Sequence, residues 1–487
     1  MKASVATEEA ARASLRLEHL PARLQIAYAG GATLDTAVNT SLNIFLLFYV
    51  TTACGLGAGM AGSAIALGLV FESVIDPLIG LYSDNTRSRW GRRLPFMAIG
   101  LPSLLIGYVL LFSLPDTADQ WLLFTLVAVL SAVTRITLSI FNLPWLAAGA
   151  ELSDDQHERE RLVTWRVAAA IVASFVTVGV GFGLYFKGAD GLAHRDNYFA
   201  YALTIAAIML AAGLIAMSAV KKTLGRQHAT EAKPFTAARL LEEFRELLRS
   251  RSFRILFGVA LLFAAAQGVT QSLNLHAYSF FWRLTTEQTQ AINLAIPGGL
   301  LLGILFGAPI IARVEHRSAA LIGLAGIILM QAAPPALRLA GLLALEGQAL
   351  ANVLVGCAVV GGVMSTMVLI AILNMITNAA DEHEYLFGVR REAAYFAGWT
   401  LAYKMANGLG TFLSGLALQS IDFPVQQVKE QGMSAVLPES MTNALGLYYG
   451  PGAAVLSVMS LALLSLFHLD RKRHAELMVE LGNRRRK

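Results

Sequence analysis

Apolar stretches long enough to cross a lipid bilayer recur from one end of the chain to the other, residues 99–114 and 453–467 among them. The chain has 487 residues, of which 15% are charged, whereas a soluble domain carries about a quarter. Its mean hydropathy is +0.57. A water-soluble core cannot absorb so much apolar sequence. The pattern therefore predicts an all-α polytopic membrane protein.

The number of membrane crossings follows from the length of each apolar stretch. A transmembrane helix needs about 20 mostly apolar residues. By that criterion the sequence predicts twelve transmembrane helices. Their expected bounds are 24–50, 59–82, 95–114, 120–149, 163–186, 197–220, 252–282, 290–312, 318–340, 347–377, 391–420 and 443–468.

Basic residues are distributed unevenly between the two sides of these helices. Three regions are rich in them: residues 87–93, residues 221–251 and the end of the chain after residue 468. The opposite connections hold only Lys187, Arg195, Arg283, Arg338 and Lys429. Positive residues are retained in the cytoplasm. We therefore expect a multi-pass protein of the cell (inner) membrane with both termini in the cytoplasm.

The longest cytoplasmic connection separates six predicted helices from six and contains an amphipathic run at 235–248. Asp76-Pro77 near the end of span two is weakly echoed by Ala308-Pro309 near the end of span eight. Repeated bundles with a site between them are typical of secondary transporters. The expected domains are a tail over 1–23, a bundle over 24–220, a linker over 221–251, a bundle over 252–468 and a basic tail over 469–487.

Several other functional classes lack support. Cys54 and Cys357 are far apart among apolar residues, which favours neither a disulfide framework nor a thiolate metal site. No G-x-x-x-x-G-K-[ST] loop occurs, and the zinc-protease pattern that starts at His383-Glu384 fails because Phe387 replaces the second histidine. The net charge of +5 reflects membrane orientation rather than nucleic-acid binding. We expect no enzyme, no cofactor and no nucleic-acid partner.

Four predicted spans carry polar residues three or four positions apart, which places them on one helical face. A charge at the centre of a membrane helix costs at least about 2.5 kcal/mol, so such residues are functional candidates. The stripes favour a shared water-filled cavity; the alternative is interhelical hydrogen bonds and salt bridges in a solid bundle. They are Asp35, Asn39 and Asn43 with Thr36 and Thr40 beside them, then Arg135, Ser139 and Asn142, then Gln267, Gln271, Asn274 and Tyr278, then Thr400, Lys404, Asn407 and Thr411.

Span two adds two carboxylates, Glu72 and Asp76, one helical turn apart. Two carboxylates in a low-dielectric environment repel each other, so at least one is expected to hold a proton or share a cation. The pair is a natural site for a coupling ion. The alternative is neutralisation by Lys404, Arg135 or Arg166. His276 in span seven stays unassigned, because either packing or ligand binding fits it.

Three segments carry a family resemblance. The first runs from Asp76-Pro77 to Ser83-Asp84 and continues into the basic loop and Pro95. The second joins Asn142-Leu143-Pro144-Trp145 to Glu158-Arg159, and the third joins Ala380-Asp381-Glu382 to Arg390-Arg391-Glu392. Together they resemble the glycoside-pentoside-hexuronide:cation symporters of the major facilitator superfamily. The resemblance covers all twelve spans and implies that fold, with two six-helix bundles.

The resemblance also implies roles for individual residues. It places Glu72, Asp76 and Ser139 at the cation site. It places Arg166 and Lys404 where basic residues link the substrate and cation sites, and a span-eleven threonine on the sugar side. With the polar stripes, the expected substrate site comprises Asp35, Thr36, Asn39, Arg135, Asn142, Trp145, Arg166, Gln271, Asn274, Thr400 and Lys404.

Some positions depart from the family pattern. Asn142 stands where sugar-specific members have an aspartate, and the acid of span one is Asp35, one position before its expected place at Thr36. An asparagine is not equivalent to an aspartate that accepts from two sugar hydroxyls, which disfavours a galactoside but keeps sugars as a class. Sodium-using members have an asparagine before the second acid of span two. Here Ile75 precedes Asp76 and offers no side-chain oxygen, which favours proton coupling over sodium.

Arg135 is not explained by the resemblance. It shares a helical face with Ser139 and Asn142, and a guanidinium is well suited to a carboxylate. One hypothesis is that Arg135 binds a substrate carboxylate such as that of a uronide. The alternative is an ion pair with Asp35 or Glu72.

The sequence thus predicts a monomeric secondary transporter in the lipid bilayer that couples H⁺ (or Na⁺) to a sugar, glycoside or sugar acid through rocking of its two bundles. It predicts no metal beyond a sodium at the cation site. The alternatives are a lysolipid or other amphiphile symporter, a membrane enzyme and a non-transporting sensor. The predicted cytoplasmic gate comprises Asp84, Arg87, Arg89, Arg92, Arg93, Glu151 and Asp381; topology alone is the alternative role for its arginines.

Overall fold

The computed structural model describes residues 20–153, 155–188, 190–222, 242, 244–307 and 314–485. Within these residues all regular structure is helical. The helices are α1 Ala22–Ala29, α2 Gly31–Ser41, α3 Ala58–Asn85, α4 Leu94–Leu111, α5 Gln120–Glu151, α6 Gln156–Val180, α7 Arg195–Lys222, α8 Arg251–His276, α9 Thr286–Leu302, α10 His316–Leu339, α11 Gly347–Phe387, α12 Glu392–Ser420, α13 Val425–Gln431, α14 Glu439–Leu447, α15 Ala453–Ser465 and α16 Arg471–Arg485.

Ten helices among the described residues are long and apolar enough to cross a membrane. Two further predicted spans correspond to shorter or more polar helices. Span one is divided into α1, α2 and two π-helical turns, Leu42–Leu46 and Tyr49–Ala53. Span eleven is α12, a helix of 29 residues that carries Lys404. The protein is therefore a multi-pass, all-α membrane protein, as predicted.

The predicted bounds were wrong where a helix continues beyond the apolar stretch. Span five was expected from residue 163, but α6 starts at Gln156 because Asp155 caps it by accepting from Glu158 N at 3.2 Å. Span ten was expected to end at 377, but α11 runs to Phe387. Its end is set by Gly388, whose φ of 79° is left-handed.

Some predicted features fall outside the described residues. These are most of the N-terminal tail, most of the linker with its amphipathic run, the last two residues of the basic tail, and the Ala308-Pro309 echo.

The chain packs as two compact units, and their division does not follow the linker alone. The first unit consists of the described parts of Met1–Leu42, Leu67–Tyr185 and His194–Pro234. The second consists of those of Asn43–Ala66, Phe186–Ala193 and Phe235–Lys487. The connection between spans one and two, with the adjoining parts of both, thus packs within the second unit. The division into bundles 24–220 and 252–468 stays a prediction.

The first unit is held by close helix contacts and buried hydroxyls. Gly100 of α4 lies against α5, where an added Cβ would be 2.8 Å from Phe141 N. Ser41 is bonded to Tyr108, which donates to it at 2.8 Å, and to Tyr201 at 2.7 Å. Small residues and paired hydroxyls are the usual means of helix association in a membrane, where apolar burial gives no driving force.

The second unit packs α8 against α12 in the same way. An added Cβ on Gly268 would be 2.6 Å from Asn407 O and 3.1 Å from the Cα of Gly410. Ser272 and Thr411 share a hydrogen bond of 3.0 Å across this contact. The polar faces of these two helices therefore contribute to packing as well as to any cavity.

Candidate substrate and cation site

A buried ion pair joins α3 and α5 in the first unit. Arg135 Nη1 of α5 is 3.5 Å from Glu72 Oε2 of α3, and the two residues are 3% and 5% exposed. Asp76 lies one turn after Glu72 and is half-buried. Ser139 lies one turn after Arg135 and is buried. The structure pairs Glu72 of the predicted cation site with Arg135, the ion-pair alternative considered for Arg135.

In the observed state, Arg135 is paired with a carboxylate of the protein itself. Both partners are out of water, where breaking the pair leaves an uncompensated charge. The guanidinium is engaged by protein and is buried, so Arg135 does not offer a surface to a substrate carboxylate here. Its position against Glu72 instead connects α5 to the carboxylates of α3.

The polar stripes of spans one and four meet at a second cluster in the first unit. Asp35 Oδ1 accepts from Asn142 Nδ2 and from Asn39 Nδ2, both at 3.1 Å. The buried Oδ1 of Asn142 has no hydrogen-bond partner in the described part of the chain. Thr36 lies next to the cluster in sequence and is half-buried. Carboxylate and amide groups thus converge on one side of α2, as a site for hydroxyl groups requires.

Arg166 is positioned by a stack of two aromatic rings. Its guanidinium carbon lies 5.1 Å from the ring centroid of Trp145, and Trp145 stacks on Tyr28 at 5.1 Å. Trp145 Nε1 donates to Tyr28 O at 2.9 Å, and Tyr28 Oη donates to Trp145 O at 3.1 Å. Trp145 is only 2% exposed, and its ring lies against both Tyr28 and Arg166.

Two glycines make this stack sterically feasible. An added Cβ on Gly31 would be 2.3 Å from Trp145 Cε2, and one on Gly149 would be 1.9 Å from Tyr28 Oη. Sequence analysis did not identify Tyr28 as a functional residue. A single aromatic residue in an apolar span gives no signal by itself, since its partner lies 117 residues away.

The predicted substrate residues of the second unit lie on α8 and α12. Thr400 is exposed, Lys404 and Gln271 are half-buried, and Asn274 is buried. Thr400 and Lys404 are one turn apart and share a face of α12. Other members of these stripes are used in packing: Thr411 bonds Ser272, and Tyr449 Oη donates to Tyr278 Oη at 3.5 Å in the contact with the last span.

The basic loop forms a compact cluster at one end of the first unit. Glu151 accepts from Arg92 at 2.7 Å and from Arg93 at 2.8 Å, and Arg93 also pairs with Asp84. These contacts join the ends of α3 and α5 to the start of α4. The other two arginines of the predicted gate, Arg87 and Arg89, are exposed.

Asp381 of the predicted gate lies in the second unit at the tip of α11. It pairs with Arg390 at 3.2 Å and with His474 of α16 at 3.0 Å. Glu382 accepts from Ser252 at 2.5 Å and contacts His468 at 3.1 Å. These interactions join the ends of α8, α11 and α16. The gating role of the predicted set stays a prediction.

The chain matches a known family over nearly its whole length. The sequence family described as "MFS/sugar transport protein" covers residues 27–471. The chain belongs to that family. Its fold is that of the major facilitator superfamily, and it is a transporter rather than an enzyme.

Curated relatives of similar length are symporters and carriers. An uncharacterized symporter of Synechocystis is 24% identical, covering 97% of this chain and 98% of that protein. A glucuronide carrier protein homolog of Escherichia coli is 22% identical over 91% of this chain and 92% of its own. A sodium-dependent lysophosphatidylcholine symporter of Gallus gallus is 21% identical over 94% and 89%. The chain is thus a symporter of the family that the sequence resembles.

A solved structure shows the same fold. It is a bacterial homolog of the human lysosomal transporter Spinster, with a TM-score of 0.63, 13% identity, and coverage of 92% of this chain and 98% of that one. In the described residues no group of three His, Cys, Asp or Glu side chains is placed to hold a metal ion.

Proposed function

We propose that this transporter couples the entry of protons to the uptake of a sugar, glycoside or sugar acid. The observation that carries the proposal is the buried Glu72–Arg135 pair with Asp76 one helical turn away. It puts a titratable carboxylate beside a charge pair in a low-dielectric region, where gain or loss of one proton changes the local electrostatic energy strongly.

The choice of proton over sodium rests on the oxygen atoms available. Arg135 compensates the charge of Glu72, and Ile75 brings no oxygen to the site. A sodium ion prefers several oxygen ligands, whereas a proton needs one carboxylate. Asp76 is the proposed carrier, because Pro77 has no N–H and so frees a helical carbonyl nearby.

The substrate class is argued from the second cluster. Asp35, Asn39 and Asn142 present carboxylate and amide groups suited to hydroxyls, and Arg166 adds a positive charge held against Trp145. A hydroxylated carboxylate fits this combination best. The glucuronide carrier homolog among the relatives supports the same class.

The proposed cycle uses differential binding. Protonation of Asp76 removes a negative charge one helical turn from Glu72, and the substrate then binds at Asp35, Asn142 and Arg166, with Lys404 as a further substrate residue. Binding of both ligands lowers the energy of the state that opens to the cytoplasm, and their release lowers that of the other state. The bundles 24–220 and 252–468 rock between these states.

Uptake into proteoliposomes tests the proposal. We expect radiolabelled glucuronides or related sugar acids to accumulate under an inward proton gradient in sodium-free medium, and Asp76→Asn to abolish that accumulation. The matched control is Asn85→Asp, at the exposed end of the same helix, which we expect to leave uptake intact. Strict dependence on sodium would contradict proton coupling, and no uptake of any sugar or sugar acid would contradict the substrate class.

A second candidate is the sodium-driven transport of a lysolipid, which the similarity to the lysophosphatidylcholine symporter of Gallus gallus favours. The same vesicles distinguish it. Accumulation of lysophosphatidylcholine under a sodium gradient, with none of sugar acids under a proton gradient, is its expected outcome.

A further inference from the structure

His276 is fully buried at the end of α8 and contacts the connection between spans one and two. Its Nε2 is 2.9 Å from Thr51 Oγ1, and both residues are 0% exposed. The hydroxyl of Thr51 already donates to Leu47 O at 2.8 Å. A hydroxyl has one hydrogen to donate, so we assign the N–H of the imidazole as donor and Thr51 as acceptor.

Aromatic rings surround this hydrogen bond. The imidazole lies edge-on to Phe48 with centroids 4.9 Å apart, and edge-on to Phe423 at 5.4 Å. Phe280 completes the group, 5.5 Å from Phe423 and 6.5 Å from Phe48. In such an apolar enclosure a polar group that loses its partner is strongly penalised.

The rest of the 43–66 segment is packed equally tightly inside the second unit. An added Cβ on Gly62 would be 2.7 Å from the Cα of Gly415, and one on Gly59 would be 1.8 Å from Gln419 Oε1, both on α12. Gln426 of α13 donates to Gly55 O at 3.0 Å. The segment is therefore closed over by α8, α12 and α13.

Rocking of the proposed bundles 24–220 and 252–468 would separate the 43–66 segment from α8 in one of the two states. The 43–66 segment continues directly into α2 and α3, whose remaining residues belong to the first unit. It also lies at the end of α3 opposite the basic loop, hence on the side away from the cytoplasm under the positive-inside rule.

We infer that the His276–Thr51 hydrogen bond is the latch of the outer gate: it holds the 43–66 segment against α8 when the outer side is closed and breaks each time that side opens. The inference rests on alternating access as set out in the proposed function, but it does not depend on which substrate or ion is carried.

The chain contains its own reporter for the gate. Cys54 is three residues after Thr51 and 2% exposed, and Cys357 is the one other cysteine in the sequence. In a Cys357→Ser background, the rate at which a membrane-impermeant maleimide labels Cys54 from outside right-side-out vesicles measures how often the gate opens.

We expect Thr51→Val to raise that labelling rate about tenfold, as the loss of one buried hydrogen bond implies. Thr51→Ser, which keeps the hydroxyl, is expected to label like the parent. Thr52→Val is the matched control, because the hydroxyl of the neighbouring Thr52 donates to Phe48 O within its own helix. His276→Gln retains an N–H donor and is expected to fall between the parent and Thr51→Val.

Equal rates for Thr51→Val and Thr52→Val would overturn the latch, as would faster labelling of Thr51→Val from the cytoplasmic face in inside-out vesicles. Melting in detergent separates misfolding from gating: a Thr51→Val protein that melts with the parent and labels no faster contradicts the inference. The assay needs no substrate, so its failure is distinguishable from failure of the sugar-acid uptake test.

Discussion

At the scale of single residues, the Glu72–Arg135 pair places two opposite charges out of water. Both side chains are buried, and their contact of 3.5 Å is long for a salt bridge. Such a pair contributes little net stability compared with apolar residues of the same volume, but either charge left alone is costly. Such a pair is suited to rearrangement during transport, because the large energetic penalty arises only when one of the two charges is left without a partner.

This predicts a non-additive pair of substitutions. Glu72→Gln or Arg135→Met alone should lower the free energy of unfolding by about 3–5 kcal/mol, because each leaves one charge unmatched. The double variant should recover most of the loss. Denaturant unfolding of the four proteins in detergent micelles forms the cycle; losses that simply add would mean that the two side chains do not interact.

The choice of partner for Arg135 could not be made from the sequence. Asp35 and Glu72 were equally acceptable, because each is an acid in a span that packs near span four. Which one meets Arg135 depends on the rotation and height of α3 relative to α5, two helices whose contacting residues are 63 positions apart. By contrast, the grouping of Asp35, Asn39 and Asn142 followed from helical spacing plus the expectation of a common cavity.

At the scale of elements, the contact of α1 and α2 with α5 depends on glycine. Gly31 and Gly149 allow Tyr28 and Trp145 to stack, and the stack holds Arg166 of α6. Two glycines thus help to set the position of a proposed substrate residue.

Gly31→Ala is expected to weaken substrate affinity about tenfold or more, because the new methyl group would displace the indole of Trp145 and with it Arg166. Gly179→Ala in α6 is the matched control, since among the described residues an added Cβ there meets nothing within 4 Å beyond its chain neighbours and its own helix backbone. It should transport normally and be stabilised slightly. Uptake as a function of substrate concentration measures the effect; equal KM values for the two variants would show that the stack does not position Arg166.

The sequence predicted helix bounds best where a helix and an apolar stretch begin or end at the same residue. The expected start of span four at 120 agrees with α5, which begins at Gln120 after the cap Asp119. The extension of α11 was missed, because residues 378–387 are mostly polar and the criterion was membrane-crossing length. Residues 378–387 contain no proline or glycine, so nothing in the local sequence ends the helix before Gly388.

At the scale of the whole molecule, the charge distribution makes a topological prediction. Both termini should lie in the cytoplasm, since basic residues cluster in the connections on that side. Green fluorescent protein fused after Lys487 should therefore fluoresce, and alkaline phosphatase fused in the connection at Gly188 should be active outside. Alkaline phosphatase fused in the basic loop at Asn85 is the control and should be inactive. Activity of that fusion would show that the orientation is the reverse of the one proposed.

The assignment of the 43–66 segment to the second unit could not have been predicted from the sequence. Chain continuity and the linker both favoured placing the whole of spans one and two with the first bundle. Close packing at Gly59 and Gly62 depends on which helix faces which, and a glycine in an apolar span does not identify its partner.

The 41 residues of α11 without an internal proline have a mechanical consequence. At 1.5 Å per residue the helix is about 60 Å long, twice the thickness of a bilayer core. A rigid rod of that length acts as a lever: a small tilt about its midpoint within the membrane swings its two ends in opposite directions. A spin label or fluorophore near one end, for example at Glu384, should therefore register a larger amplitude than one at the midpoint near Met367, which makes the end of the helix the better place from which to time the transport cycle.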